Sequence, residues 1–191
     1  MSTALPFANK LFTAEEYLPL ADDGRPTELI RGRIVEMNPP GSLHGKFCGN
    51  IVRALAVYLD RHDVAHLVSN DSGVITNRTP DSVRGPDVAI YSYQRIPREN
   101  PPDGYWPAAP ELVFEVRSPS DRWVDVVAKA AEFLNAGVLV AVVLDPQERK
   151  LHIYSADRPT QILSESEQFA VGQFLPDILS DCTLAVRDFL K

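Results

Sequence analysis

The segment PELVFEVRSPSD, residues 110–121, places Glu115 two residues before Arg117 in a run that otherwise reads as core. In an extended strand two such side chains project from one face. Asp87 stands in a comparable place, directly after Pro86 at the head of the apolar run DVAIY. An ionised carboxylate among apolar neighbours is costly unless a cation or hydrogen-bond donors compensate it. Two of them on adjacent strands repel, and a divalent ion between them removes that conflict. Hard oxygen ligands of this kind suit magnesium or manganese rather than zinc. Glu28, in the stretch TELI, is a third acidic candidate. Lys129 can point back over the end of the sheet if its helix packs there.

Each of these residues also has a plainer reading. Asp87 after a proline can cap a turn. Glu115 and Arg117 can form a structural ion pair on a half-exposed strand. Lys129 and Glu28 can be solvated residues of a helix and a strand. His44 follows a Pro-Pro-Gly turn near a helix start, where a loop or capping role is usual. His62 and His66 have metal-ligand spacing but straddle a helix end without a third ligand, and read as surface residues. No GxSxG, HExxH, P-loop or GxGxxG motif is present.

The elements that must position these groups follow from periodicity. LFTAEEYLPL carries a capping box, Thr13 with Glu16, and predicts a short helix. TELIRGRIVEMN predicts a hairpin about Gly32. Phe47, Ile51, Leu55 and Leu59 recur at helical spacing and predict a helix of about five turns. AHLVSN, SGVITNR and PDVAIYS are strand candidates, followed by the Pro-rich loop QRIPRENPPDGYWPAAP. After the strand ELVFEV, a helix is expected from about Asp121 to Ala136, closed by Gly137. VLVAVVLD reads as a central strand covered on both faces, paired with LHIYS across DPQER. Short strands and a final short helix are expected at the end of the chain. The pattern implies one α/β (α+β) domain over residues 1–191, a mixed central sheet flanked by helices.

Composition narrows the class. The 191 residues are 45% hydrophobic and 24% charged, as in a soluble globular protein. The 19 basic and 26 acidic residues give a net charge of −7, which argues against tight non-specific nucleic-acid binding but not against a local basic groove. Cys48 and Cys182 lie far apart, form no CxxC, and indicate neither a zinc site nor a disulfide framework. The longest apolar stretch, AGVLVAVVL, is too short to span a bilayer, and no basic-then-apolar leader is seen, so a cytoplasmic protein is expected.

Taken in order, ELIRGRIVEMNPPGSLHG, RGPDVAIY, APELVFEVRSPSD, DVVAKAAEFLNAGV and VLDPQERKLHIY resemble the Uma family of endonucleases, a branch of the restriction-endonuclease-like PD-(D/E)XK superfamily. The resemblance runs through nearly the whole chain. It implies a restriction-endonuclease-like core in which Asp87 and Glu115 are the metal-binding acids and the Val116 main-chain carbonyl adds a ligand. Lys129 resembles the family's lysine, moved from the strand to the adjacent helix, and Arg117 occupies the strand position where other superfamily members carry it. Glu28 resembles the early acid that shapes the metal site, and His44 matches a histidine common to the family. Two departures stand out: LVAVVLDP lacks the family's Tyr-Trp pair before Asp-Pro, and Phe133 replaces a tyrosine on the lysine helix. Both read as core substitutions.

The implied activity is magnesium- or manganese-dependent hydrolysis of DNA phosphodiesters, with Lys129, helped by Arg117, orienting water or neutralising phosphate. Arg84, Arg95, Arg98 and Arg122 lie in loops near the strand ends and could position a DNA backbone, with His44 beside them and a homodimer as one assembly. The competing reading is a catalytically inactive nuclease fold that binds nucleic acid or protein, for which the net charge is the best argument. A weaker third is hydrolysis of another phosphate ester.

Overall fold

The computed structural model describes residues 10–21 and 25–191. Helix α1 (Ala14–Ala21) starts at the expected capping box: Thr13 N–H donates to Glu16 Oε2 at 3.1 Å and Glu16 N–H to Thr13 Oγ1 at 3.2 Å. Strands β1 (Thr27–Ile30) and β2 (Arg33–Glu36) form the hairpin, turning through Arg31 and Gly32 at φ 49° and 75°. Two positive φ values in a two-residue loop match the strand twist, and glycine takes one of them without steric cost. Helix α2 (Ser42–Leu59) buries Phe47, Ile51 and Leu55, as its periodicity requires.

Strands β3 (Ala65–Ser69), β4 (Val74–Asn77), β5 (Ser82–Arg84) and β6 (Val88–Ser92) follow. Of these, β5 was not expected. It spans only three residues inside TPDSVRGP, where flanking prolines and glycine hide the alternation. Then come β7 (Leu112–Val116), α3 (Trp123–Asn135), β8 (Val140–Asp145), β9 (Lys150–Ser155) and β10 (Arg158–Ser164). The chain closes with β11 (Gln168–Ala170), β12 (Thr183–Ala185) and the short helix α4 (Val186–Phe189). Helix α3 begins two residues later than expected. Asp121 is not its cap; its carboxylate accepts Ser118 N–H at 2.8 Å and closes the SPSD turn.

The six-stranded sheet has the order β10-β9-β8-β7-β6-β3, with only β7 and β8 parallel. The expected neighbours β6, β7 and β8 form its middle. Phe114, Val142 and Ile90 face α2 and the C-terminal segment; Val113, Ala141 and Tyr91 face the other way, toward Ala130 and Phe133 of α3. Every residue of β8 is buried, consistent with a strand covered on both faces. A second, antiparallel sheet, β2-β1-β5-β4, packs α1 against Leu29 and Val83. The chain passes from this small sheet to the large one through Arg84-Gly85-Pro86-Asp87, between β5 and β6. Among the described residues no helix is long and apolar enough to cross a membrane.

Candidate active site

The register of the large sheet sets the acids together. Strands β6 and β7 pair antiparallel with Val88 opposite Phe114, so Asp87, just before β6, and Glu115, just after Phe114, come to the same end of the strand pair. Glu115 alternates with Phe114 and so shares the face of Val113. The Asp87 carboxylate is fixed by Val116 N–H, which donates to Oδ2 at 2.6 Å. Because α3 covers the face that Glu115 shares, Lys129 on its second turn reaches down to it. The ammonium lies 3.0 Å from Glu115 Oε2, 2.9 Å from Oε1 and 3.3 Å from Glu28 Oε1, and donates to Gly85 O at 2.9 Å.

The crossing between the sheets ties the second half of the site down. Gly85 N–H donates to Glu28 Oε1 at 3.0 Å, and Arg84 holds Glu28 Oε2 at 2.6 Å while its Nε pairs with Glu132 of α3 at 3.1 Å. Gly85 is required sterically: a Cβ there would sit 2.5 Å from the Asp71 carbonyl oxygen. Glu28, expected to be exposed if merely structural, is only 6% exposed. The result is a cleft of about 390 Å³ lined by Glu28, His44, Asp71, Asp87, Glu115 and Lys129, with Met37–Pro40 and Ser118–Asp121 at its sides.

Electrostatics in the cleft favour a cation. Two carboxylates, Glu28 and Glu115, hold one ammonium, and Asp87 and Asp71 line the same cleft. Burial pushes the Glu115 carboxyl up to about 8, with Lys129 pulling against it and the Asp87 and Glu28 charges pushing with it. Burial works against the Lys129 ammonium, but the Glu115 and Glu28 carboxylates overcome it and hold the proton more firmly than usual. Burial, then Asp87, also raises Asp71. Glu115 Oε1 is buried without hydrogen-bond geometry to any partner, although Lys129 is near. A buried, unsatisfied carboxylate oxygen in an acid-rich cleft fits a hard divalent ion, which Asp87 and Glu115 would hold.

Several expected residues lie elsewhere. Arg117 does not join Glu115. Beyond the end of β7 it turns to Asp145 Oδ2 at 2.8 Å and lies 5.4 Å over the Trp123 ring. The pull comes from Asp145, 3% exposed at the end of β8. Arg95 and Arg98 stand at the opposite end of the sheet, one strand length away, roughly 17 Å. Arg95 braces the Pro-rich loop through Glu111 at 3.0 Å and the carbonyls of Ala109, Pro110 and Gly137. Arg98 pairs with Asp63, and Arg84, buried on Glu28 and Glu132, buttresses the site and does not face open solvent. Arg122 is exposed beside cleft-lining Asp121, paired with Asp125 at 2.7 Å. Val116 lines the cleft, and its N–H is committed to Asp87.

His44 is in the cleft, its Nε2 3.5 Å from Asp87 Oδ1 and its Nδ1 3.4 Å from Cys48 Sγ. His62 and His66 are apart from it, packed edge-on against Tyr58 and against Tyr93 and Trp106. Sequence reasoning missed Asp71, Glu132 and Cys48. Asp71 reads as a turn residue in SNDSG, and Glu132 as a solvated helix position. Cys48 carried one usable signal, its place one helical turn after His44.

A mixed sheet flanked by helices, with Asp87 before one central strand, Glu115 at the end of its neighbour and a lysine reaching Glu115 from the crossover helix, fits a restriction-endonuclease-like fold. The chain belongs to the Uma2 family, whose model, described as "Putative restriction endonuclease", matches residues 14–187. The fold is similar, with a TM-score of 0.78, to the crystal structure of "a putative nuclease belonging to DUF820" from Anabaena variabilis. The two chains are 21% identical over 94% of this chain and 97% of that one. No curated protein matches the sequence.

Proposed function

We propose that the chain is a single-domain, cytoplasmic, divalent-metal-dependent DNA endonuclease that hydrolyses phosphodiester bonds in the cleft between its two sheets. The observation that carries this reading is the convergence of Asp87, Glu115 and Lys129 in one acid-rich cleft. Asp87 and Glu115, with the Val116 carbonyl, would hold magnesium or manganese. When bound, such an ion supplies Lewis-acid stabilisation of phosphate charge and a water of lowered pKa.

The chain's own residues do the rest. Val116 N–H locks the Asp87 carboxylate in place, and His44 bounds its other oxygen. Lys129 is anchored by Gly85 O and Glu28, so its ammonium stays charged where a phosphate oxygen or the attacking water must sit. Glu28, itself held by Gly85 N–H and Arg84, keeps Lys129 aimed. Arg122, exposed at the mouth and paired only at the surface with Asp125, would turn to a DNA backbone. One cleft cuts one strand at a time, and a homodimer would bring two clefts to the two strands of a duplex.

The test is cleavage of supercoiled plasmid with magnesium, manganese and EDTA, by wild type and Asp87→Asn. Metal-dependent nicking that Asp87→Asn loses supports the reading. The second reading, a fold that binds without cutting, is favoured by one observation. Arg84, Arg95, Arg98 and Arg122 are all engaged by acids of the same chain, which leaves little charge for phosphates. Plasmid left intact by wild type with either metal would select it.

A further inference from the structure

We propose that His44, Cys48 and Asp87 form a second cation site, suited to a soft divalent ion such as zinc, which withdraws Asp87 from Glu115 when filled. That withdrawal would silence the acidic site; the silencing, but not the binding, rests on the nuclease reading above.

His44 and Cys48 project from one side of α2, one turn apart, and Asp87 faces them from the start of β6. One ligand atom from each of the three lies within 4.8 Å of the others. The Cys48 Sγ to His44 Nδ1 distance of 3.4 Å is already that of two ligands on one tetrahedral ion, about 3.5 Å for ordinary zinc–sulfur and zinc–nitrogen bonds. Thiolate with imidazole and one carboxylate selects zinc over magnesium, just as the all-oxygen set beside it selects the reverse. Three protein ligands leave a fourth position for water.

Two other uses of the trio fit less well. A cysteine nucleophile needs positive surroundings to form its thiolate. Cys48 instead meets burial and the carboxylates of Asp87, Asp71 and Glu115. A passive thiol–imidazole contact needs no third ligand, yet Asp87 Oδ1 lies 3.5 Å from His44 Nε2 in the same cluster. Binding releases the thiol proton to solvent and places a cation among three surrounding acids. Closing the ligands around one ion draws the Asp87 carboxylate toward α2, away from Val116 N–H and from the oxygen position facing Glu115.

Cobalt(II), which takes zinc geometry and is coloured, is the probe. Wild type should bind one cobalt per chain with near-ultraviolet thiolate-to-cobalt charge-transfer absorption, displaced by one equivalent of zinc. Cys48→Ser and Cys48→Ala should lose the absorption and weaken zinc binding at least tenfold, with unchanged circular dichroism and melting temperature. Glu115→Gln should keep it. Absence of the band in wild type, its persistence in both Cys48 variants, or its loss in Glu115→Gln would overturn the site. In the plasmid assay with magnesium, zinc should stop wild type and spare Cys48→Ser; equal inhibition of both would overturn the silencing. A wild type that never cuts would end the nuclease reading, while the cobalt spectrum would still decide the site.

Discussion

Glu115→Gln separates an acid kept for chemistry from one kept for structure. The substitution preserves shape and one hydrogen-bond acceptor for Lys129, which also retains Glu28 at 3.3 Å and Gly85 O at 2.9 Å. What it removes is a charge the fold does not welcome. Burial lifts the Glu115 carboxyl from an ordinary 4.5 to about 8, so the folded chain holds that proton where the unfolded chain has lost it. Stability therefore falls as pH rises from about 4.5 to 8, and is not recovered above it. At 1.36 kcal/mol per unit the interval corresponds to about 5 kcal/mol. Water entering the open cleft screens part of that, leaving on the order of 2 kcal/mol. In EDTA, urea unfolding of wild type and Glu115→Gln should give similar free energies at pH 5 and a variant more stable by about 2 kcal/mol at pH 8.5. Manganese should then stabilise wild type and leave the variant unchanged. A variant less stable than wild type at pH 8.5 would refute the reasoning and make Glu115 a structural partner of Lys129.

Three further outcomes are expected. Lys129→Met should lower single-turnover plasmid cleavage at least 100-fold while calorimetric manganese affinity stays within a few-fold, since the ammonium acts on phosphate or water; unchanged cleavage would remove it from the chemistry. Arg117→Met should leave cleavage by the folded protein intact but cost about 3 kcal/mol in urea unfolding, because it strands buried Asp145. Gly85→Ala should cost about 2 kcal/mol or more and abolish cleavage, because its Cβ meets the Asp71 carbonyl at 2.5 Å and shifts the backbone that holds Glu28 and Lys129; a melting temperature equal to wild type would contradict it.

The legible parts of the sequence were those where local pattern and tertiary demand agree. Phe47, Ile51 and Leu55 announced α2, and the continuous apolar run of β8 announced a strand buried on both faces. Polar residues set into such runs, Asp87 and Glu115, pointed to the cleft because burying a charge needs a reason. Arg117 misled for a related cause. Strand alternation stops at Val116, and past that point a long side chain goes to the nearest buried opposite charge. Asp145 supplied it from the end of the neighbouring strand β8, and strand periodicity does not register which residue lies beside Arg117. Arg95 and Arg98 are placed away from the cleft likewise, since Glu111 and Asp63 come near them only after folding. Glu28, Gly85 and Asp71 meet across two sheets, which no spacing could show.

The loop from Gln94 to Pro110 joins two strands that are neighbours in the sheet, and it divides the machinery in half. A single cut near Asn100 would leave Glu28, His44, Cys48 and Asp87 on one fragment and Glu115 and Lys129 on the other. Neither half owns the acidic site, although His44, Cys48 and Asp87 stay together on the first. Each would expose the raw edge of β6 or β7, an edge held in the intact chain by three paired positions on each strand. Co-expressed, the halves would regain function only by re-forming that ladder, which makes the split chain a reporter of its own strand pairing. Expressed singly, each would be an inert fragment prone to self-association.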